Sequence, residues 1–134
     1  MNKRIEIKIM LWVLIAVMLF HLSIMLKIIP YDISWGGKLK NDAEMYVFET
    51  ISMLINLFLF SVLLIKGKYV KEIIPLEVVN IILWFFVILF GLNTIGNIIA
   101  ETTFEKFFAL LTLASAIMIY MILRKDKKPI RKNV

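Results

Sequence analysis

Apolar residues fill four long stretches of the chain, and charged or turn-forming residues collect in the joints between them. A helix rising about 1.5 Å per residue needs about 20 mostly apolar residues to cross a hydrocarbon layer about 30 Å thick. Residues 9–29 meet that need, interrupted by His21, Ser23 and Lys27, and residues 45–65, 73–92 and 103–123 meet it as well. The joints supply stop and start signals. Pro30 is expected to close the first helix, because the residue before a proline disfavours the α region. Gly67, between Lys66 and Lys68, offers a C-terminal cap for the second. Pro75 suits the first turn of the third, and Glu77 sits near the positive end of its dipole. Asn41 with Glu44, and Thr102-Thr103-Phe104-Glu105, read as N-terminal capping patterns. The pattern predicts an all-α integral membrane four-helix bundle, with residues 1–134 as one transmembrane domain and residues 124–134 as a basic tail.

Composition agrees with that class. The 134 residues are 61% hydrophobic with a mean hydropathy of +0.88, against about 45–50% apolar residues in soluble domains. With no cysteine, disulfides, thiolate metal sites and thiol redox chemistry are excluded. A single histidine excludes a His-rich metal cluster, and no cofactor is expected. The basic N-terminal residues followed by an apolar run resemble a secretory signal. The run is too long for one and no small-x-small cleavage site follows, so it reads as an uncleaved first span.

Charge gives a direction. Twelve of the sixteen Lys and Arg residues lie at the N-terminus, in the joint between the second and third spans, or in the tail. The other four are Lys27, Lys38, Lys40 and Lys106, on the opposite side. This positive-inside bias predicts both termini in the cytoplasm and a bacterial cytoplasmic membrane as the location. The pI of about 9.6 would suggest nucleic acid in a soluble protein. Here the basic residues flank apolar runs, so anionic lipid at the tail is the expected counter-charge and nucleic acid is not an expected partner.

One polar constellation stands out on the outer side. His21 falls about 12 Å below the outer boundary of the first span, and an ionisable group at that depth points to function. Its bland alternative is a neutral imidazole bonded to a neighbouring helix. Glu49 and Asn56 share a face of the second helix; Glu49 is either hydrated at the interface or turned inward to pair with His21 or Lys27. Asn93, Asn97 and Glu101 recur every fourth residue and share a face if the third helix runs past its apolar stretch. Gly91 and Gly96 beside them allow a close approach or a break. Tyr31 and Trp35 suit the membrane interface, and Trp35 in the Gly36-Gly37 loop is a candidate lid. His21, Trp35, Glu49, Asn93, Asn97 and Glu101 are therefore the candidate pocket. Asn80 and Glu77 form a smaller polar pair on the other side, expected to serve capping and hydration. Ala109, Thr112 and Ala116 form a small-residue stripe suited to close helix packing.

Trp35-Gly36-Gly37, Glu49, and Asn93-Thr94-Ile95-Gly96-Asn97 with Ala100, Thr102 and Phe104-Glu105-Lys106 look like segments of small bacterial four-span membrane proteins of uncharacterised role. The outline is also loosely similar to the DoxX-like four-helix proteins. The resemblance implies a four-span bundle over most of the chain and brings no activity or site residue with it.

No nucleophile elbow, phosphate loop, zinc-protease motif or dinucleotide fingerprint occurs, so the sequence favours a binding role over an enzymatic one. The leading expectation is a pocket that takes a small ligand, a lipid headgroup or a partner helix. The alternatives are a small proton-coupled transporter, an intramembrane enzyme using His21 as base, and an immunity or accessory protein acting on another membrane protein. A partner protein or a homo-oligomer is compatible with each.

Overall fold

A computed structural model of the chain describes residues 2–33, 37–100 and 102–125, and shows four long helices and one short 3-10 turn. The helices are α1 (Lys3–Met25), α2 (Asp42–Lys66), α3 (Leu76–Ile98) and α4 (Thr103–Arg124), with the turn at Tyr31–Ile33. All four are long and apolar enough to cross a membrane. Large apolar side chains such as Trp12, Phe85 and Phe107 are exposed on the outside, as lipid-facing surface requires. The protein is a multi-pass membrane four-helix bundle.

The helices run up and down in chain order. The two hairpins, α1 with α2 and α3 with α4, are the most extensively packed pairs; α1 against α4 and α2 against α3 close the ring more sparsely. The start of α1, the end of α4 and the α2–α3 joint share one end of the bundle, called here the terminal end. The α1–α2 and α3–α4 connections form the loop end.

The helix boundaries shift from the sequence expectation for identifiable reasons. α1 begins at Lys3 rather than residue 9, because Asn2 caps it by accepting a bond from the Arg4 N–H at 3.0 Å. It ends before Pro30. Lys27 takes a left-handed conformation (φ 60°), the Ile28 N–H returns to the Ser23 carbonyl at 2.9 Å and the Lys27 N–H to that of Ile24 at 3.0 Å. That is a Schellman closure. α2 ends in the same way one position beyond the expected residue. Gly67 is right-handed and Lys68 (φ 59°) takes the left-handed place, with the Tyr69 N–H bonded to the Leu64 carbonyl at 2.9 Å. Gly67 is the C-cap, as the sequence suggests, without the left-handed conformation, and a Cβ added there would lie 2.7 Å from the Tyr69 ring.

α3 starts after Pro75, which is its N-cap in extended conformation rather than a first-turn residue. The helix continues to Ile98 without breaking at Gly91 or Gly96, and a Cβ at either glycine would meet nothing within 4 Å. The expected close approach or break there is absent. α4 starts as its capping pattern predicts. Thr102 Oγ1 accepts from the Glu105 N–H at 3.2 Å. At α2 the Asn41 side chain accepts from the Glu44 N–H at 2.9 Å, and the Glu44 carboxylate accepts from the Lys40 N–H at 2.9 Å.

The core is lopsided along the bundle. The main apolar cluster is built from residues such as Met10, Leu63, Leu83, Phe86 and Ile122, and its members lie in the terminal half of every helix. The hairpin α3–α4 is joined nearer the loop end by a bond between the Thr94 and Thr112 hydroxyls, 2.9 Å apart. Thr112 is flanked by buried Ala109 and Ala116. Small side chains let these two helices approach closely, as the stripe predicts.

Candidate functional site

Interior stripes of the four helices change character along their length. On α2 the inward series is Met45, Glu49, Ser52, Asn56, Leu59, Leu63 and Lys66, at alternating spacings of four and three. The members at 49, 52 and 56 are polar. The same change occurs at His21 on α1, at Asn93 and Asn97 on α3, and at Glu105, Thr112 and Ser115 on α4. Four helices that turn polar at a common depth cannot fill their centre with interlocking aliphatic side chains. They enclose a cavity of about 520 Å³ in the loop half.

His21, Asn56, Asn93, Asn97 and Glu105 all line it, beside Phe20, Phe90, Phe104 and Phe108. Counted from the helix ends, His21 lies about 6 Å, Glu49 about 10 Å and Asn93 about 8 Å into the bundle. The earlier end of α1 makes His21 shallower than the sequence suggested, and brings it nearer the depth of Asn93.

Glu49 is fully buried, and its Oε2 is hydrogen-bonded to His21 Nδ1. Of the two sequence expectations for this carboxylate, the inward one describes the structure and the hydrated one does not. Lys27 instead pairs with Asp42 across the α1–α2 connection. The Asp42 carboxylate holds the Lys27 ammonium above its ordinary pKa, first through their hydrogen bond and then through its charge. With Nδ1 engaged by Glu49, Nε2 is the imidazole nitrogen available to a molecule in the cavity.

The α1–α4 side of the cavity is shut by aromatic rings. Phe20 stacks on Phe104 with centroids 5.2 Å apart and meets Phe108 at 5.1 Å. The loop end is partly covered by Ile33, which lines the cavity and whose carbonyl lies 3.2 Å from the Thr102 hydroxyl. That hydroxyl also reaches the Glu105 carboxylate at 2.7 Å. Two other candidates, Trp35 and Glu101, lie outside the described residues, as does the tail from residue 126 onward. Among the described residues no group of three His, Cys, Asp or Glu side chains is arranged to hold a metal.

Sequence reasoning missed a second polar cluster, at the terminal end. Glu6 is fully buried and pairs with Lys125 at 2.5 Å, joining α1 to α4. Its other oxygen, Oε2, is buried with no hydrogen-bond partner among the described residues. Lys66, 3% exposed, bonds the Asn80 side chain and joins α2 to α3. Asn80 therefore serves as an interhelical partner rather than in the capping and hydration role expected of it with Glu77. The missed signal was spacing: Glu6, Met10, Val17 and His21 follow one helical stripe.

Compared with known proteins, the chain matches no family profile, and neither a curated protein nor a solved structure is significantly similar to it.

Proposed function

We propose that this is a ligand-binding protein of a bacterial cytoplasmic membrane, with both termini in the cytoplasm and its cavity in the outer half of the bilayer. The carrying observation is convergence: polar side chains from four separate helices meet on one cavity large enough for a small molecule. Pockets of about 300–1,000 Å³ with mostly apolar walls and a few placed polar groups are the usual form of small-molecule sites. Asn93, Asn97 and His21 supply the directional contacts, and the phenylalanines supply the surface. The charge bias toward the terminal end supports the orientation, and the basic residues after α4 suit anionic lipid on the cytoplasmic leaflet. The small four-span bacterial proteins that the sequence resembles would share this plan.

The test is ligand-linked stability. The chain is stripped of lipid in detergent and a total membrane lipid extract is added back. A site-bound molecule at 100 times its Kd stabilises the fold by about 2.7 kcal/mol, seen as a rise in Tm. Asn93→Leu with Asn97→Leu should abolish the rise. An unchanged Tm in the native chain, or an equal rise in the double variant, contradicts the reading.

His21 lines the cavity and is paired with Glu49, which is buried off the lining, and this favours a second reading, proton-coupled transport. Proton-driven uptake into vesicles that disappears in Glu49→Gln would support it over simple binding.

A further inference from the structure

The cavity wall is unevenly exposed. Ile55 on α2 and Leu92, Asn93 and Gly96 on α3 are exposed, whereas every lining residue of α1 and α4 is at least half-buried. The opening is therefore on one flank, between α2 and α3. The opposite flank is closed by the Phe20–Phe104–Phe108 stack, and the loop end carries Ile33 tied to Thr102. Ile55 lies about 20 Å along α2 from its loop-end start, close to mid-bilayer, while Leu92 is about 9 Å from the end of α3. The mouth thus runs from the hydrocarbon centre toward the headgroups and faces acyl chains, not water. No bulky side chain guards it at Gly96, where even a Cβ would meet nothing.

We infer that this cavity is loaded sideways from the bilayer through the α2–α3 mouth, and that its ligand is a single-chain amphiphile with an uncharged hydroxyl or carbonyl head. The inference rests on the binding reading above and adds the route and the chemical class. The chain end of the ligand follows from the apolar and aromatic part of the wall, at Val13, Val17, Leu89, Phe90 and Phe108. The head follows from the polar groups. Asn93 and Asn97 offer uncharged donors and acceptors, His21 offers Nε2, Glu49 is engaged by His21, and Glu105 by Thr102. An anionic head would be buried in low dielectric beside the Glu105 carboxylate with no lysine or arginine on the cavity wall among the described residues, which is costly. The volume of about 520 Å³ suits one chain and a small head, not both chains of a phospholipid.

The experiment uses the full chain in phosphatidylcholine nanodiscs, with a monoacylglycerol carrying a diazirine in its tail as the probe. Irradiation should label the cavity walls at Val17, Leu89 and Phe108. Unlabelled monooleoylglycerol should compete about tenfold better than oleate of the same chain length. Because the chain has no cysteine, Ile55→Cys with Leu92→Cys gives a clean pair for a reducible bifunctional thiol linker across the mouth. Linking should slow probe loading about tenfold or more, with recovery on reduction. Labelled walls with no effect of the linker overturn sideways loading and leave the binding reading intact. Equal competition by oleate overturns the uncharged head. Label confined to outward residues such as Trp12 and Phe85 overturns the amphiphile, and the Tm experiment then judges binding separately. A photo-reactive residue at position 92 that captures polypeptide in place of lipid overturns the proposal in favour of a partner helix seated in the mouth.

Discussion

The two halves of this bundle are made from the same four helices and reach opposite ends. In the terminal half the interior is mostly aliphatic or aromatic apart from Glu6 and Lys66 near its end, and Leu59, Leu63, Val79, Leu83, Ile119 and Ile122 are all essentially inaccessible. In the loop half the corresponding positions are His21, Asn56, Asn93, Asn97 and Thr112, and the centre is hollow. The polar bonds differ in the same sense. At the terminal end Glu6–Lys125 and Lys66–Asn80 cross between the hairpins. At the loop end His21–Glu49, Lys27–Asp42 and Thr94–Thr112 stay within a hairpin, and the bond from the Thr102 hydroxyl to the Ile33 carbonyl joins the two connections. Buried charged side chains clamp one half, and the other encloses a cavity. In lipid this division matters more than in water, because helices gain little from hiding apolar surface from an apolar solvent. Packing and interhelical hydrogen bonds set the association.

Equal truncations should affect the two halves very differently. Leu83→Ala, in the packed half, should lower the unfolding free energy by about 3 kcal/mol, through lost contacts and a new void. Leu89→Ala, on the cavity wall and nearer the loop end, should cost under about 1 kcal/mol because the void already exists. Unfolding in mixed micelles of increasing denaturing detergent measures both, and similar losses would erase the distinction. Next in size is the clamp. Lys125→Ala leaves the Glu6 carboxylate buried without its partner and should cost about 2 kcal/mol, the half-exposed lysine reducing the usual penalty. Glu6→Leu combined with Lys125→Met should recover most of that loss in the same assay.

At the mouth the expected sign reverses. Gly96→Leu places a side chain in open space and removes a helix glycine, so stability should rise by about 0.5–1 kcal/mol while ligand is lost. A fall in stability would mean that the space is not open. Lys68→Gly relieves a left-handed lysine at the end of α2 and should add up to about 1 kcal/mol, with no effect on ligand. The smallest effect is at the exposed Lys27–Asp42 pair. The raised lysine pKa means its contribution is complete below pH 10.5 and is lost only as pH climbs through the higher folded value. Thermal scans should therefore show no change from this pair between pH 6 and 9, and a loss confined to more alkaline solution, compared with Lys27→Met.

How legible this was from sequence depends on the residue. Four spans were plain, since hydrocarbon thickness sets a length that few soluble helices reach with so little charge. Their ends were less so. Lysines at positions 27 and 68 adopt a backbone conformation usually given to glycine, and no residue type announces that. His21 and Glu49 could be proposed as partners from depth alone, but whether Lys27 would compete for Glu49 depended on where α1 stopped. Asn93 and Asn97 share a wall only because α3 continues past its apolar stretch. Glu6 was hidden by its neighbours: among Lys3, Arg4 and Lys8 it reads as one more surface charge, and only the stripe running to His21 marks it as interior. The hollow itself is a property of four stripes taken together, which single-helix patterns do not contain.

Native mass spectrometry of the chain released from nanodiscs decides whether the loop half holds a ligand. The native protein should carry one small-molecule adduct per chain, lost in Asn93→Leu with Asn97→Leu and kept in Lys125→Ala. A bare native chain, or an adduct that survives the double change, would contradict a binding cavity in the loop half.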